Sequence, residues 1–227
     1  MDTTLRDGEQ THGVSYTPLE KLHLATLLLK EVGVDRIEVA SARVSQGEFE
    51  AATKILEWAK NSGFYEKVEI LGFVDGDISL NWIEEAGGKI INLLTKGSLK
   101  HVKGQLKKTP EEHVADVKEV VKLAELKGIN VNIYLEDWSN GMLHSEEYVF
   151  FMIDSLQHEN IKRFMLPDTL GVLNQDQTFE FCNKMVQKYP DLWFDFHAHN
   201  DYDLASANVY DALKSGIICI HTTVNGL

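Results

Sequence analysis

Residues 192–201 read L-W-F-D-F-H-A-H-N-D, an aromatic run followed by two histidines. The composition of residues 192–196 predicts a β-strand. Side chains alternate between the two faces of a strand, so His197 and His199 project from the same side at its end. Two imidazoles side by side suit a bis-histidine metal clamp, although an isolated H-x-H also fits two surface histidines. The rest of the chain decides between these readings.

Length, charge and composition narrow the class of protein. The 227 residues carry a net charge of −13, with 44% hydrophobic and 25% charged residues, as in an ordinary globular protein. The negative charge argues against nucleic acid and anionic membrane surfaces as partners. No apolar run has transmembrane length, and the N-terminus lacks signal-peptide features. We therefore expect a cytoplasmic protein.

Strand-like runs alternate with helical patterns along the whole chain, at a spacing of roughly 25–30 residues. Eight such βα units predict an α/β fold of the TIM (β/α)8 barrel type. An open doubly wound sheet is the alternative, but no G-x-G-x-x-G motif follows the first run. The predicted strands are 3–5, 35–40, 68–73, 89–94, 130–135, 161–166, 192–196 and 217–224. The seven predicted helices are 18–32, 46–62, 78–86, 110–127, 145–157, 175–189 and 203–215.

Residues at the ends of the predicted helices support these boundaries, and the last helix of a complete barrel is missing from the sequence. Thr17-Pro18 and Thr109-Pro110 are typical helix starts, and Gly33, Gly63, Gly128 and Gly216 follow predicted helices. The sequence stops after the eighth predicted strand, before the helix that would complete a barrel. We therefore expect residues 1–227 to form one catalytic barrel domain, truncated at its C-terminus.

Polar residues collect where the predicted strands end, which is where barrel enzymes carry their active sites. Asp7 with His197 and His199 makes a set of two imidazoles and one carboxylate, and Asn225 offers a fourth, amide-oxygen ligand. Such a set suits Mg²⁺, Mn²⁺ or Zn²⁺ with positions left open for substrate oxygens. A metal of this kind acts as a Lewis acid on a 2-oxo acid or an enolate.

Three further strand-end residues have both a chemical and a structural interpretation. Arg6 is suited to stabilising an oxyanion, or else forms an ion pair with Glu9 or Glu136. Glu136 either orients substrate or pairs with Arg6. Thr169 offers a hydroxyl to a substrate carboxylate, or caps a helix.

Three motifs in order resemble one family. L-R-D-G-E-Q at residues 5–10 with Lys21, H-A-H-N-D at 197–201, and N-G at 225–226 resemble signatures of the 2-isopropylmalate, homocitrate and citramalate synthases. These are DRE-TIM metallolyases. The resemblance implies Asp7, His197, His199 and Asn225 as metal ligands. It also implies Arg6 at the keto oxygen, Glu136 as the acidic member of the catalytic set, and Thr169 at the substrate carboxylate.

The resemblance implies an acyltransferase of amino-acid biosynthesis, in which acetyl-CoA condenses with a 2-oxo acid and CoA is released. Leu71, Leu94 and Tyr134 are bulky and lie near the ends of the third to fifth predicted strands. Large side chains beside the ketone leave more room for methyl than for isopropyl, which favours pyruvate and a citramalate product. 2-Oxoisovalerate, giving 2-isopropylmalate, is the alternative.

Departures from the family pattern leave other functions open. Asp203 follows Tyr202 where the family usually has glycine, and the C-terminal region that supplies a catalytic histidine and dimer contacts lies beyond residue 227. His221 is expected to be a packed histidine. A lyase resembling 3-hydroxy-3-methylglutaryl-CoA lyase would need a cysteine in a glycine-rich loop, which neither Cys182 nor Cys219 provides. We therefore expect a homodimeric acyltransferase that is inactive or weak in this truncated form. The remaining alternative is a metal- and oxo-acid-binding domain without turnover.

Overall fold

The computed structural model describes residues 1–227, with seven parallel strands in one sheet whose order follows the sequence, β1 to β7. The strands are β1 Ile37–Ser41, β2 Val68–Phe73, β3 Ile90–Lys96, β4 Asn130–Glu136, β5 Ile161–Asp168, β6 Phe194–Ala198 and β7 Cys219–Ile220. The helices are α1 Pro18–Leu27, α2 Gln46–Ser62, α3 Ile78–Glu85, α4 Leu99–His101, α5 Pro110–Leu126, α6 Trp138–His144, α7 Glu146–Leu156, α8 Gln175–Lys188 and α9 Ala205–Lys214. None of these helices has the length and apolarity needed to cross a membrane.

The prediction of eight strands is wrong by one. In place of a strand at residues 3–5, Asp2 alone forms parallel bridges, to Ile37 and to Thr222. The chain then curls, because the Thr3 carbonyl accepts hydrogen bonds from the backbone N–H groups of the three residues 6–8. The eighth predicted strand shortens to β7, where only two residues pair with β6. Short terminal runs make too few ladder bonds to be recognised reliably from composition.

One compact unit comprises Met1–Leu93, Lys122–Val131 and Thr222–Leu227. Helix α1 begins at a capping box between Thr17 and Glu20 with Pro18 in the first turn, as the sequence predicts. It continues as a wider π-helical turn through residues 28–32 and ends at Gly33, whose φ is +76°. Gly63 ends α2 in the same left-handed conformation. These caps fix where each helix returns the chain to the sheet.

The second compact unit comprises Leu94–Val121 and Asn132–His221. Strands β5 and β6 pair in register from Phe164 with Phe194 to Asp168 with Ala198. Trp138 is fully buried, and its ring packs edge-on against Phe181 and Phe196, with centroids 6.4 Å apart in each pair. Trp138 begins α6, a helix that the sequence analysis did not predict, as is also the case for the short α4.

Candidate metal centre and its surroundings

The turn after residue 3 directs Arg6 onto two carboxylates. Arg6 Nη1 donates to Asp7 Oδ1 at 2.6 Å, and Arg6 Nε donates to Glu38 Oε2. The ion pair predicted for Arg6 therefore exists, but its carboxylates are Asp7 and Glu38. Glu9 and Glu136, the partners named from the sequence, each form an ion pair with a lysine instead.

Glu38 sits wholly inside the protein at the second position of β1. Its Oε1 accepts a hydrogen bond from the Asn92 side chain at 2.7 Å. Burial raises the pKa of the Glu38 carboxyl, while the neighbouring Arg6 guanidinium opposes that rise. We call Arg6, Asp7, Glu38 and Asn92 the arginine cluster. It holds the Arg6 guanidinium by charge-assisted bonds in one orientation.

A buried lysine anchors the loop that follows the arginine cluster. The Lys21 side chain is 1% exposed, and its Nζ pairs with Glu9 Oε2 at 2.6 Å and with Glu48. Glu9 Oε1 in turn accepts from the backbone N–H of Tyr16 at 2.8 Å. The lysine of the first motif thus ties the loop to α2, a role that the sequence analysis did not assign.

Strand β6 brings the two histidines together as predicted. His197 Nε2 and His199 Nε2 lie 3.2 Å apart, and the two ring centroids are 4.9 Å apart. His199 lies just beyond the last strand residue, and its backbone N–H donates to the Asp168 carbonyl at 3.3 Å. The parallel ladder between β5 and β6 therefore extends the strand alternation to the second histidine.

His221 contacts three other buried side chains, those of His197, Tyr134 and Asp195. His221 Nδ1 lies 3.1 Å from His197 Nδ1 and 3.1 Å from Tyr134 Oη, and His221 Nε2 lies 3.3 Å from Asp195 Oδ2. Burial lowers the pKa of the His221 imidazole to about 3, so the ring is neutral near pH 7. We call His197, His199, His221, Asp195 and Tyr134 the histidine cluster. The sequence analysis expected His221 to be packed, and it is both packed and hydrogen-bonded.

Asp7, His197 and His199 each offer one ligand atom of a kind that binds divalent metal ions. Two nitrogens bound at ~2.1 Å to a single tetrahedral or octahedral ion are ~3.0–3.4 Å apart. The 3.2 Å between the two Nε2 atoms meets that requirement. Asn225, the fourth predicted ligand, is exposed in the 3-10 turn Val224–Gly226, with a φ of +56°. The two imidazoles therefore fit a divalent ion, and the carboxylate of Asp7 is chemically suited to be a further ligand.

The remaining predicted residues lie at strand ends, with the following contacts. Glu136 ends β4 and pairs with Lys96, the last residue of β3. Thr169 follows β5, and its Oγ1 accepts from the backbone N–H of Asp137 at 2.9 Å. A hydroxyl that accepts from this amide keeps its own proton for another acceptor.

The three bulky residues of the predicted substrate pocket belong to three different strands. Leu71 is buried in β2, Leu94 is partly exposed in β3, and Tyr134 is buried in β4. By strand alternation Leu94 shares a face with Asn92 of the arginine cluster. The Tyr134 ring lies edge-on to His197, with centroids 5.9 Å apart.

The sequence analysis assigned no role to several polar residues near these strand ends. Asn92 and Lys96 lie in β3, whose other residues are mostly apolar. A polar residue within such a strand could have indicated a functional position. His113 is buried in α5, and its Nε2 accepts from the backbone N–H of Lys96 at 3.1 Å. His113 belongs to no motif, so nothing in the sequence indicated that it would accept this hydrogen bond.

Comparisons with known proteins agree along the whole chain. The HMGL-like family profile matches residues 1–227. A putative (R)-citramalate synthase of Methanopyrus kandleri is 35% identical over 228 residues, covering 100% of this chain and 43% of that protein. A 2-isopropylmalate synthase of Sulfolobus acidocaldarius is 34% identical over 230 residues, covering 100% of this chain and 57% of that protein. The chain spans about half the length of the curated relatives it matches.

Solved structures agree on the fold. The HMG-CoA lyase of Bacillus subtilis has a TM-score of 0.82 at 21% identity, covering 100% of this chain and 76% of that one. The carboxyl transferase domain of Rhizobium etli pyruvate carboxylase has a TM-score of 0.72 at 13% identity, covering 98% of this chain and 39% of that one. At these identities the similarity concerns the parallel α/β barrel architecture alone.

Proposed function

This chain belongs to the HMGL-like family, and from that premise we propose that it is the metal-binding barrel of a synthase that condenses acetyl-CoA with a 2-oxo acid. The observation that carries the proposal is the pair of imidazole nitrogens at the end of β6, since His197 Nε2 and His199 Nε2 lie 3.2 Å apart. Relatives at 33–35% identity over the whole chain are named citramalate, homocitrate and 2-isopropylmalate synthases, which supports the reaction class.

In the proposed reaction the methyl group of acetyl-CoA loses a proton, and its carbon forms a bond to the keto carbon of the 2-oxo acid. The keto oxygen gains a proton, and one water hydrolyses the thioester to release CoA. A divalent metal in this site supplies Lewis acidity to the chelating 2-oxo acid. His197, His199 and Asp7 would hold it, with Asn225 proposed as a further ligand.

Arg6 is proposed to stabilise negative charge at the keto oxygen. A guanidinium already bound by Asp7 and Glu38 needs no reorientation when substrate charge develops, which is the condition for effective electrostatic stabilisation. Thr169 is proposed to donate its hydroxyl proton to the substrate carboxylate. Glu136 is proposed as the acidic member of the set, with Lys96 paired to it in the absence of substrate.

Pyruvate is the proposed 2-oxo acid. Leu71, Leu94 and Tyr134 are expected to line the space beside the ketone. Tyr134 is held in place by burial and by its contact with His221, so its ring cannot easily swing aside for an isopropyl group. 2-Oxoisovalerate remains the second candidate because one small step in side-chain volume separates the two acids.

The test is metal-dependent release of CoA. We would supply the full-length gene product with Mg²⁺, Mn²⁺ or Zn²⁺, acetyl-CoA and either pyruvate or 2-oxoisovalerate, and follow free thiol and the carbon-bonded product. Metal-dependent thiol release with pyruvate is the expected result. Release with 2-oxoisovalerate alone would overturn the choice of substrate. Binding of metal and 2-oxo acid without thiol release would favour a binding domain without turnover.

No structural observation favours a lyase of the HMG-CoA type. By resemblance, such chemistry would use a cysteine in a glycine-rich loop, whereas Cys182 is buried within α8 and Cys219 lies in β7. Burial raises the pKa of the Cys182 thiol far above its ordinary value, which removes the reactive thiolate.

A further inference from the structure

We propose that Asp195 and His221 form a hydrogen-bonded relay that determines which ring nitrogen of His197 is free to bind a metal ion. This inference rests on the proposed metal site and adds two positioning residues to it. The relay lies wholly in the interior, since the side chains of His221 and Asp195 are 1% and 0% exposed.

The direction of each hydrogen bond follows from what the partners can donate. In the proposed relay Asp195 Oδ2 is the acceptor of the 3.3 Å contact, which places the proton of His221 on Nε2. A neutral imidazole carries one ring proton, and His221 Nδ1 is then an acceptor. His197 Nδ1, 3.1 Å away, must therefore be the donor of that contact.

The consequence is a defined metal-binding nitrogen. With its proton on Nδ1, His197 has its lone pair on Nε2, which is the atom 3.2 Å from His199 Nε2. Metal-binding histidines usually donate their other N–H to a carboxylate or another acceptor, which fixes both tautomer and ring orientation. Here a second histidine stands between the ligand and the carboxylate.

Tyr134 is the competing donor. Its hydroxyl lies 3.1 Å from the same His221 Nδ1, so the lone pair there faces two donors. If Tyr134 alone donated, His197 would be free to adopt the opposite tautomer. The tautomer of His197 therefore distinguishes the relay from simple packing of the tyrosine.

Asp195→Asn is the sharpest variant because it keeps the shape of the side chain. Arg163 Nη1 lies 4.0 Å from Asp195 Oδ1, and this cation would hold the amide oxygen on its own side. The amide NH₂ would then face His221 Nε2, which must become an acceptor and move its proton to Nδ1. His221 Nδ1 would donate to His197, placing the His197 proton on Nε2, the metal-binding atom.

The measurement is the imidazole ¹⁵N spectrum of the metal-free chain, combined with Zn²⁺ affinity by competition with a chromophoric chelator. We expect His197 protonated on Nδ1 in the unaltered chain and on Nε2 in Asp195→Asn, with Zn²⁺ affinity at least about tenfold weaker in the variant. Glu69→Gln is the matched control, since Glu69 is another buried carboxylate but pairs with Arg36. We expect it to change neither readout.

Two substitutions of His221 test the acceptor directly. An asparagine amide places its oxygen near the former Nδ1, whereas a glutamine amide reaches only the former Nε2 position. His221→Asn should therefore retain Zn²⁺ affinity within about threefold, and His221→Gln should lose about tenfold or more. Tyr134→Phe should leave the His197 tautomer unchanged.

An Nε2-protonated His197 in the unaltered chain would overturn the relay, as would an unchanged tautomer and Zn²⁺ affinity in a folded Asp195→Asn variant. These readouts use Zn²⁺ alone and no acetyl-CoA. Failure of the relay is thus distinguishable from failure of the proposed synthase activity.

Discussion

The arginine cluster and the histidine cluster are both buried, but they manage charge in opposite ways. In the arginine cluster a guanidinium is bound by two carboxylates, and the charges compensate one another before any substrate arrives. In the histidine cluster His221 is neutral, and its contacts with Asp195, His197 and Tyr134 orient rings and a hydroxyl. Under the proposed function, the first cluster would direct N–H donors at an oxyanion and the second would present lone pairs to a cation.

Because of this difference, we expect substitutions in the two clusters to change different properties of the protein. Removing one member of a buried ion pair leaves an uncompensated charge, so substitutions in the arginine cluster should lower the free energy of unfolding. Removing a neutral ligand imidazole leaves no uncompensated charge, so substitution of His197 or His199 should weaken metal binding rather than lower stability. Acid should act mainly on buried neutral histidines, because burial disfavours their protonated form.

The largest effect should come from Arg6→Gln, which leaves Glu38 buried without its cation. We expect the free energy of unfolding to fall by about 4 kcal/mol, measured by urea denaturation. The double variant Arg6→Gln with Glu38→Gln should recover at least half of that loss, because no buried charge remains. Equal stability of the single and double variants would contradict this account of the cluster.

Acid should destabilise the protein through His113. Burial lowers the pKa of His113 to about 4; Asp116 opposes the shift, while Lys108 and Lys96 add to it. The unfolded histidine gains a proton below about pH 6.5 and the folded one only near pH 4, so stability falls as pH decreases between them. The loss should reach about 3 kcal/mol.

His113→Gln should reduce this acid dependence and leave the part that comes from buried His221. The fold should tolerate the change because a glutamine oxygen can still accept from the Lys96 backbone N–H. Exposed His23 on α1 provides the matched control, and His23→Gln should leave the pH profile unchanged. The measurement is the urea midpoint between pH 4 and 7. A parallel profile for His113→Gln and the unaltered chain would assign the acid sensitivity elsewhere.

His199→Ala should weaken Zn²⁺ binding by about 100-fold, since one of the two paired imidazole ligands is lost. Urea stability of the metal-free chain should change little, in contrast to Arg6→Gln. His158→Ala, in an exposed turn, is the control for loss of a histidine. Unchanged metal content after dialysis against Zn²⁺ would remove His199 from the site.

The smallest effect concerns substrate choice. Leu94→Ala should raise kcat/KM for 2-oxoisovalerate relative to pyruvate by about tenfold, because it frees space for an isopropyl group. Leu93→Ala is the matched control, since Leu93 is buried on the opposite face of β3 and should leave the ratio unchanged. A shifted ratio in both variants would indicate general loosening of the strand.

The sequence predicted the repeating βα order, the helix caps and the histidine pair because these depend on local periodicity and composition. Helix α2 begins and ends where predicted, and the glycines that follow helices have positive φ values. The missed features are non-local. Asp2 became a lone bridge residue, and α6 formed because Trp138 packs against Phe181 and Phe196, which are distant in sequence.

By itself the sequence identified candidate ligand residues and determined that His197 and His199 lie side by side, since alternation along a strand is local geometry. Only the tertiary structure decided the partners: Glu38 for Arg6, Lys96 for Glu136, and His221 with Asp195 behind His197. The physical reason is that burial selects among several equally plausible charged neighbours. A partner compensates a buried charge or fixes a ring proton only when folding brings it within hydrogen-bonding distance.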